Sequence, residues 1–198
     1  MSPNKLRLDH KIISGWIAPN SRVLDLGCGD GELLAYLMEN KSVRGTGIEI
    51  NESHIYKCVE KGISVSHSDI DSGLPDYPSK SFNYVILNES LQEVLHPKMV
   101  VLEALRVGKK VIVGIPNFCH WPARVQLFFK GKVPVTKGLP HQWYDAPNLN
   151  FLSLKDFRNF CKNKKILIEK FKAISSDKIV TLRPNFFAHS GLFLLSKK

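Results

Sequence analysis

A glycine turn between an apolar run and a helical pattern is the feature that most constrains the fold. The run Val23–Leu26 includes the acidic residue Asp25 and leads into Gly27-Cys28-Gly29-Asp30-Gly31, after which leucines recur at one-turn spacing. The three glycines lack a Cβ, so the backbone can adopt positive φ and a ligand can approach its amides. The stretch therefore predicts a strand, a tight turn and a helix N-terminus.

The spacing of these glycines distinguishes two classes of ligand. A dinucleotide site has the pattern Gly-x-Gly-x-x-Gly, whose third glycine would fall at position 32, where this chain has Glu32. Asp25 lies two residues before the first glycine, where its charge would repel a pyrophosphate and attract an ammonium group. A glycine-rich turn without any ligand is the alternative that this motif alone leaves open.

The turn resembles motif I of the class I S-adenosylmethionine-dependent methyltransferases. The resemblance implies S-adenosylmethionine, or S-adenosylhomocysteine, as cofactor, and its methionine portion would contact Asp25 and the glycines. Glu49 lies near the C-terminal end of the second predicted strand, at the same rim of the sheet, where a carboxylate would accept two ribose hydroxyls at once. Asp69 and Ile70 match by position the residues beside adenine. The candidate cofactor-binding residues are therefore Asp25, Gly27, Cys28, Gly29, Gly31, Glu49, Ile50, Asp69, Ile70 and Asn88. We interpret Cys28 as a small side chain beside the ligand rather than as a nucleophile.

Strand and helix patterns alternate along the chain, which predicts a doubly wound, mostly parallel α/β sheet with helices on both faces. A capping helix within residues 1–20 precedes five strands, and two final strands at Lys165–Ala173 and Phe187–Ser196 would pair as a hairpin. The expectation is a single domain over residues 1–198 with the seven-stranded sheet of the class I methyltransferases. The other predicted strands are Val23–Leu26, Val43–Ile50, Ile63–His67, Ser81–Leu87 and Lys109–Gly114, and the helices are Glu32–Asn40, Glu52–Lys61, Pro97–Val107 and one starting at Ser153.

The composition of the chain limits which sites, partners and cellular locations can be expected. The four cysteines are scattered without a Cys-x-x-Cys pair, so neither a metal site nor a disulfide framework is expected. There is no apolar run of membrane-spanning length and no signal-peptide core, so we expect a cytoplasmic protein without a membrane partner. The net charge is +10, and residues 101–198 hold 18 Lys/Arg against 5 Asp/Glu. We interpret this surplus as a solvated basic surface rather than as a nucleic-acid site.

A proline-rich and aromatic segment, residues 115–148, follows the fifth strand and should lie over the ligand crevice. Its length and aromatic density favour a lid, an acceptor site or a partner surface over disorder. The candidate substrate or partner residues in it are Asn117, His120, Trp121, Tyr144 and Asp145.

Motifs spread over nearly the whole chain resemble the methionine biosynthesis protein MetW family. They are the glycine turn and Gly47-Ile48-Glu49, together with Ile115-Pro116-Asn117-Phe118-x-His120-Trp121, Val133-Pro134-Val135-Thr136-Lys137 and Trp143-Tyr144-Asp145-Ala146-Pro147-Asn148. The resemblance implies a bacterial cytoplasmic protein of methionine synthesis that works with a homoserine O-acyltransferase.

Three functional hypotheses follow, and none identifies a catalytic residue. The chain could methylate a small molecule, with Asn88, His120, Tyr144 or Asp145 positioning the acceptor. It could instead be a regulatory subunit that binds the cofactor and presents residues 115–148 to an acyltransferase. Nucleic-acid methylation is the third hypothesis. Against it, Asn88-Glu89-Ser90-Leu91 lacks the proline-rich tetrapeptide with which relatives that methylate amines or bases grip their acceptor.

Overall fold

The computed structural model describes residues 6–136 and 139–197. Residues 1–5 of the predicted capping segment and Lys137 of the family motif lie outside this range. The helices are α1 Leu8–Trp16, α2 Glu32–Lys41, α3 Glu52–Glu60, α4 Pro97–Val107, α5 Trp121–Lys130, α6 Leu154–Asn163 and α7 Pro184–Phe187. The strands are β1 Arg22–Leu26, β2 Arg44–Glu49, β3 Ser64–His67, β4 Phe82–Asn88, β5 Gly108–Pro116, β6 Ile166–Ser175, β7 Lys178–Val180 and β8 Ser190–Lys197.

The strands of the described residues form one sheet in the order β3-β2-β1-β4-β5-β8-β6-β7. Strands β1 to β5 are parallel, and β8 runs antiparallel between β5 and β6. This arrangement confirms the doubly wound α/β fold and the pairing of the last two predicted strands.

The predicted strand count of seven is wrong, because the sheet has eight strands. The additional strand, β7, pairs antiparallel with the end of β6, from Ala173 opposite Val180 to Ser175 opposite Lys178. A tight turn at Ser176 and Asp177 joins them, and Ser176 has a φ of 52°. Three residues are too few to show a period-2 pattern, so no periodicity could predict this strand.

Alternate residues of the central strands pack into two cores on opposite faces of the sheet. On one face, Leu24, Val85 and Val113 pack with side chains of α4 and α6. On the other face, Val23, Ile86 and Ile112 pack with side chains of α1, α2 and α3. The period of two along each strand therefore puts helices on both faces, as expected for central strands buried on both sides.

Residues 115–148, for which no secondary structure was predicted, contain the helix α5. Pro122 stands in its first turn, where a missing N–H costs nothing, and Gly131 ends it in the left-handed conformation with a φ of 58°. The short helix α7 was also not predicted. Within the described residues, no helix is long and apolar enough to cross a membrane.

Candidate functional site

A small cavity lies where β1 and β4 end, against the glycine turn and the first residues of α2. The parallel register sets Asp25 beside Gly47 of β2 and Ile86 of β4, so the tips of these three strands share one rim. The cavity has a volume of about 160 Å³. Its lining residues are Arg7, His10, Asp25, Gly27, Cys28, Gly29, Asp30, Glu32, Leu33, Asn88 and Glu89.

The Asp25 carboxylate is buried in this cavity, with only 3% of the residue exposed. Burial and the nearby Glu49 carboxylate raise the pKa of Asp25 to about 7. No side chain or amide of the described residues donates a hydrogen bond to it or forms an ion pair with it. A buried charge without a partner is costly, so an arriving cation would stabilise the ionised form.

The glycine turn shapes the floor of the cavity, since Gly27, Gly29 and Gly31 all have positive φ. A Cβ on Gly27 would lie 2.8 Å from Ser90 Cβ, and a Cβ on Gly31 would lie 2.5 Å from Ile63 Cδ1. Around Gly29, by contrast, a Cβ would meet nothing within 4 Å. Gly27 and Gly31 therefore serve packing, while Gly29 leaves open space into which a ligand can move.

Cys28 packs inward rather than offering a reactive thiol. A Cβ on Gly47 would lie 2.4 Å from Cys28 Sγ, and Cys28 Sγ lies 3.9 Å from Cys58 Sγ. Burial, with the Asp25 charge, raises the pKa of the Cys28 thiol far above its ordinary range. A thiol that stays protonated is a poor nucleophile, which favours the interpretation of Cys28 as a small packing residue.

Glu49 holds the glycine turn to the start of α3. Its carboxylate accepts hydrogen bonds from the backbone N–H groups of Gly29 at 2.8 Å, Ile50 at 3.0 Å and Asn51 at 2.9 Å. A carboxylate has about four acceptor positions, so about one is left for a ribose hydroxyl in this conformation. The expected acceptance of two hydroxyls at once would require Glu49 to release backbone amides.

The residues predicted to lie beside adenine are not among those that line the cavity. Asp69 is exposed and its carboxylate accepts from the backbone N–H of Asp71 at 2.8 Å, which is a turn-forming contact. Ile70 packs against the core beneath α4. Ile50, a cofactor candidate that was not assigned to adenine, is 61% exposed and does not line the cavity either. The cavity therefore corresponds to the methionine end of the predicted site, and the roles of Asp69, Ile70 and Ile50 stay predictions.

Residues preceding and within α1 complete the cavity, and the sequence analysis missed them. Arg7 Nη2 donates to Glu89 Oε2 at 2.7 Å and to Asp9 Oδ2 at 2.8 Å. Asn88 Nδ2 also donates to Asp9 Oδ2, at 3.0 Å. These contacts join the end of β4 to a segment some 80 positions earlier, which no local pattern in the sequence could indicate.

The charge and the polar groups of the cavity fit S-adenosylmethionine. Four carboxylates line it, although the chain as a whole carries a net charge of +10. Glu89 forms an ion pair with Arg7 and Asp30 forms one with Lys61, which leaves Asp25 and Glu32 without a basic partner among the described residues. A ligand with an ammonium and a sulfonium would complement that local excess of negative charge. His10, which lines the cavity, has a buried Nδ1 without a hydrogen-bond partner in the described part of the chain.

The predicted substrate or partner residues are divided between core and surface. Asn117 and His120 are each 1% exposed. Asn117 Nδ2 donates to the carbonyls of Asn185 and Ala188, and the His120 ring packs edge-on against His189 at 4.6 Å between centroids. Burial and His189 lower the pKa of His120 to about 4. These two residues anchor the start of the segment.

The other three residues of that group, Trp121, Tyr144 and Asp145, are exposed to solvent. Trp121 is 46% and Tyr144 66% exposed, and none of the three lines the cavity at Asp25. These three side chains are therefore available to contact a partner protein, and they do not contact a ligand bound in that cavity.

A second cavity, of about 310 Å³, adjoins the first and shares Arg7 and Glu89 with it. The turn between β6 and β7 closes one side of it through Ser176 and Asp177. Its other lining residues are Leu8, Asp9, Pro116, Ile174, His189 and Ser190. The two cavities thus meet at the Arg7–Glu89 ion pair.

Comparison with known proteins identifies a family whose model matches most of this chain. The model for "Methionine biosynthesis protein MetW" matches residues 7–195. A relative from Rhodopirellula baltica, named "Bifunctional methionine biosynthesis protein MetXA/MetW", is 32% identical over 174 residues, which are 83% of this chain. The chain spans only 28% of the length of that relative.

Solved structures of methyltransferases superpose on nearly the whole of this chain. A SAM-dependent methyltransferase from Thermotoga maritima superposes with a TM-score of 0.67 at 19% identity, covering 96% of this chain and 88% of that chain. A Haloferax volcanii complex of a methyltransferase with its Trm112 activator gives a TM-score of 0.69 at 14% identity, with the same two coverages. The chain therefore has the class I methyltransferase fold.

Proposed function

This chain belongs to the methionine biosynthesis protein MetW family, and we propose that it binds S-adenosylmethionine and acts with a homoserine O-acyltransferase in methionine biosynthesis. The observation that carries the ligand assignment is the buried Asp25 carboxylate, which has no partner among the described residues and lies beside the open face of Gly29. The ligand's ammonium group would pair with that carboxylate. The glycine backbone would lie along its methionine portion, and Glu49 would contact the ribose.

The fused relative supports the acyltransferase partner. Its name joins MetXA and MetW, and the part similar to this chain is 28% of its length. Proteins that occur as one polypeptide in one organism commonly act together as separate chains in another. The four cysteines are free thiols, which suits the reducing cytoplasm in which we place the protein.

In this proposal the chain makes acyl transfer responsive to S-adenosylmethionine, a downstream product of the pathway. A ligand alters a partner's activity only if it binds the free and the partnered states with different affinity. The proposal therefore requires that the acyltransferase and S-adenosylmethionine change each other's affinity for this chain by the same factor.

The test is reconstitution with the homoserine O-acyltransferase of the same organism. We expect the two chains to copurify and acyl transfer to homoserine to change when this chain is added. S-adenosylmethionine should alter that effect for the native chain and have no influence on D25N. The D76N variant, which loses an exposed carboxylate, is the matched control. Absence of association at micromolar concentrations would refute the partner.

Catalytic methylation of a small molecule is the second candidate, and the cavity of about 310 Å³ favours it. That cavity meets the proposed cofactor site at Arg7 and Glu89, so an acceptor there would lie beside the cofactor. Bound S-adenosylmethionine would supply an electrophilic methyl group, and the chain would contribute alignment. Repeated turnover of S-adenosylmethionine to S-adenosylhomocysteine in the presence of a small-molecule acceptor would favour this function over regulation.

A further inference from the structure

Helix α5 directs its apolar stripe toward solvent instead of into the protein. Trp121, Val125, Phe128 and Phe129 recur at positions i, i+4, i+7 and i+8, the spacing of one helical face. Their exposed fractions are 46, 42, 82 and 76%. Neither of the two core clusters of the described residues includes a side chain from α5.

The helix is nevertheless fixed in place through its other side. Ala123 is buried, and Arg124 donates to the carbonyls of Cys119 and Asn185 and stacks over the Phe186 ring at 5.3 Å. Gln126 exchanges two hydrogen bonds with the backbone of Val135, at 2.9 and 3.1 Å. Because these contacts orient α5 before any partner arrives, little ordering is left to occur on binding.

The charge around α5 indicates what kind of surface it would contact. Residues 115–144, which contain α5, include four Lys/Arg and no Asp/Glu, and Lys130 and Lys132 are exposed at the end of the helix. Two copies of this chain meeting through this face would each contribute positive charge, and residues 115–144 hold no carboxylate to neutralise it. A partner with carboxylates around an apolar groove would complement it.

We propose that α5 is the docking element for the acyltransferase, with Trp121, Val125, Phe128 and Phe129 as anchors in an apolar groove rimmed by carboxylates. This inference rests on the proposed function. The mode is the insertion of an amphipathic helix into a groove, which is recognised by anchors at this spacing. The relative named MetXA/MetW supports this occupant, because its name joins MetW to MetXA and the part similar to this chain is only 28% of its length.

The test compares the affinity of three versions of this chain for the immobilised homoserine O-acyltransferase, measured by biolayer interferometry. F128A/F129A removes the two most exposed anchors, and Y56A removes an aromatic ring of comparable exposure, 69%, from α3. We expect F128A/F129A to weaken binding by about 100-fold or more, since central aromatic anchors each contribute tenfold or more. Y56A should bind like the native chain, and all three should bind S-adenosylmethionine equally.

A charge test is independent of the apolar anchors. K130E/K132E should weaken the complex and remove its weakening by salt, because the two introduced carboxylates would repel the carboxylates of the groove. K162E, on α6, changes an exposed lysine away from α5 and should leave the affinity unchanged.

Four other results would overturn the inference, and each of them points to a different explanation. If the native chain and F128A/F129A bind the acyltransferase equally, α5 is not the interface, although the proposed function stands. If the native chain does not bind the acyltransferase at all, the proposed function fails as well. Native self-association that F128A/F129A abolishes would assign the face to a second copy. Binding to anionic vesicles that is lost in F128A/F129A, with acyltransferase binding unchanged, would assign it to a membrane surface.

Discussion

Replacing Asp25 with asparagine should make the protein without ligand more stable at pH 8. Asp25 is buried, and its pKa is raised from 3.8 to about 7 by burial and by Glu49. An acid whose pKa is higher in the folded state binds more protons there than in the unfolded chain. Its ionisation therefore lowers stability as the pH rises from about 4 to about 7, and the full cost persists above that.

The size of the effect follows from the difference of about three pKa units. At 1.36 kcal/mol per unit, the raised pKa of Asp25 lowers the free energy of unfolding by up to about 4 kcal/mol at pH 8 and by about 2 kcal/mol at pH 5, where only the unfolded chain ionises this carboxyl. D25N removes this cost while nearly keeping the shape of the side chain. The expected rise in Tm is about 10 °C at pH 8 and about half of that at pH 5.

Differential scanning fluorimetry across pH 5 to 8 without ligand measures this directly, with D76N as the control for loss of an exposed carboxylate. An equal or lower Tm for D25N at pH 8, or a gain that does not shrink toward pH 5, would refute the reasoning. In that case a partner of the Asp25 carboxylate would already compensate its charge.

Two further predictions concern the turn and the histidine pair. G31A should cost about 3 kcal/mol in urea unfolding, because its Cβ would lie 2.5 Å from Ile63 Cδ1 and 2.9 Å from Cys58 Sγ at a φ of 77°. G29A should lower the free energy of unfolding by only about 1 kcal/mol, through backbone strain, yet weaken S-adenosylmethionine binding. Equal losses of stability in G31A and G29A would contradict the different roles of the two glycines. Since the pKa of His120 is lowered from 6.5 to about 4, protonation of His120 should reduce stability as the pH falls through that interval. H120N should flatten this part of the Tm profile, and an unchanged profile would show that another group titrates there.

The parts of the fold that the sequence predicted well depend on local patterns. The strand, glycine turn and helix from β1 to α2 follow from Val23–Leu26, three glycines and a leucine stripe, all within a few residues of each other. The two cores follow from alternation along β4 and β5, which holds wherever both faces of a strand are buried. The order of acidic residues along the chain also placed Asp25 and Glu49 at one rim, because parallel strands end on the same side.

Features that depend on distant contacts were missed. Arg7 reaches the cavity only because α1 packs against the sheet and Asp9 accepts a hydrogen bond from Asn88. The three backbone donors to Glu49 depend on the shape of the turn, which residue types alone do not determine. In α5, the apolar stripe was present in the sequence, but a stripe at helical spacing does not reveal whether it faces a core or a partner.

The central contact of the proposed site joins an ionised Asp25 to the ammonium group of S-adenosylmethionine. Isothermal titration calorimetry with S-adenosylmethionine at pH 7.5 and pH 5.5, on the native chain, D25N and D76N, tests that contact. We expect native and D76N affinity to fall by about tenfold or more at the lower pH, since Asp25, with a pKa of about 7, is then almost fully protonated. D25N should bind weakly at both pH values. Equal affinity and equal pH dependence in D25N and the native chain would contradict the account.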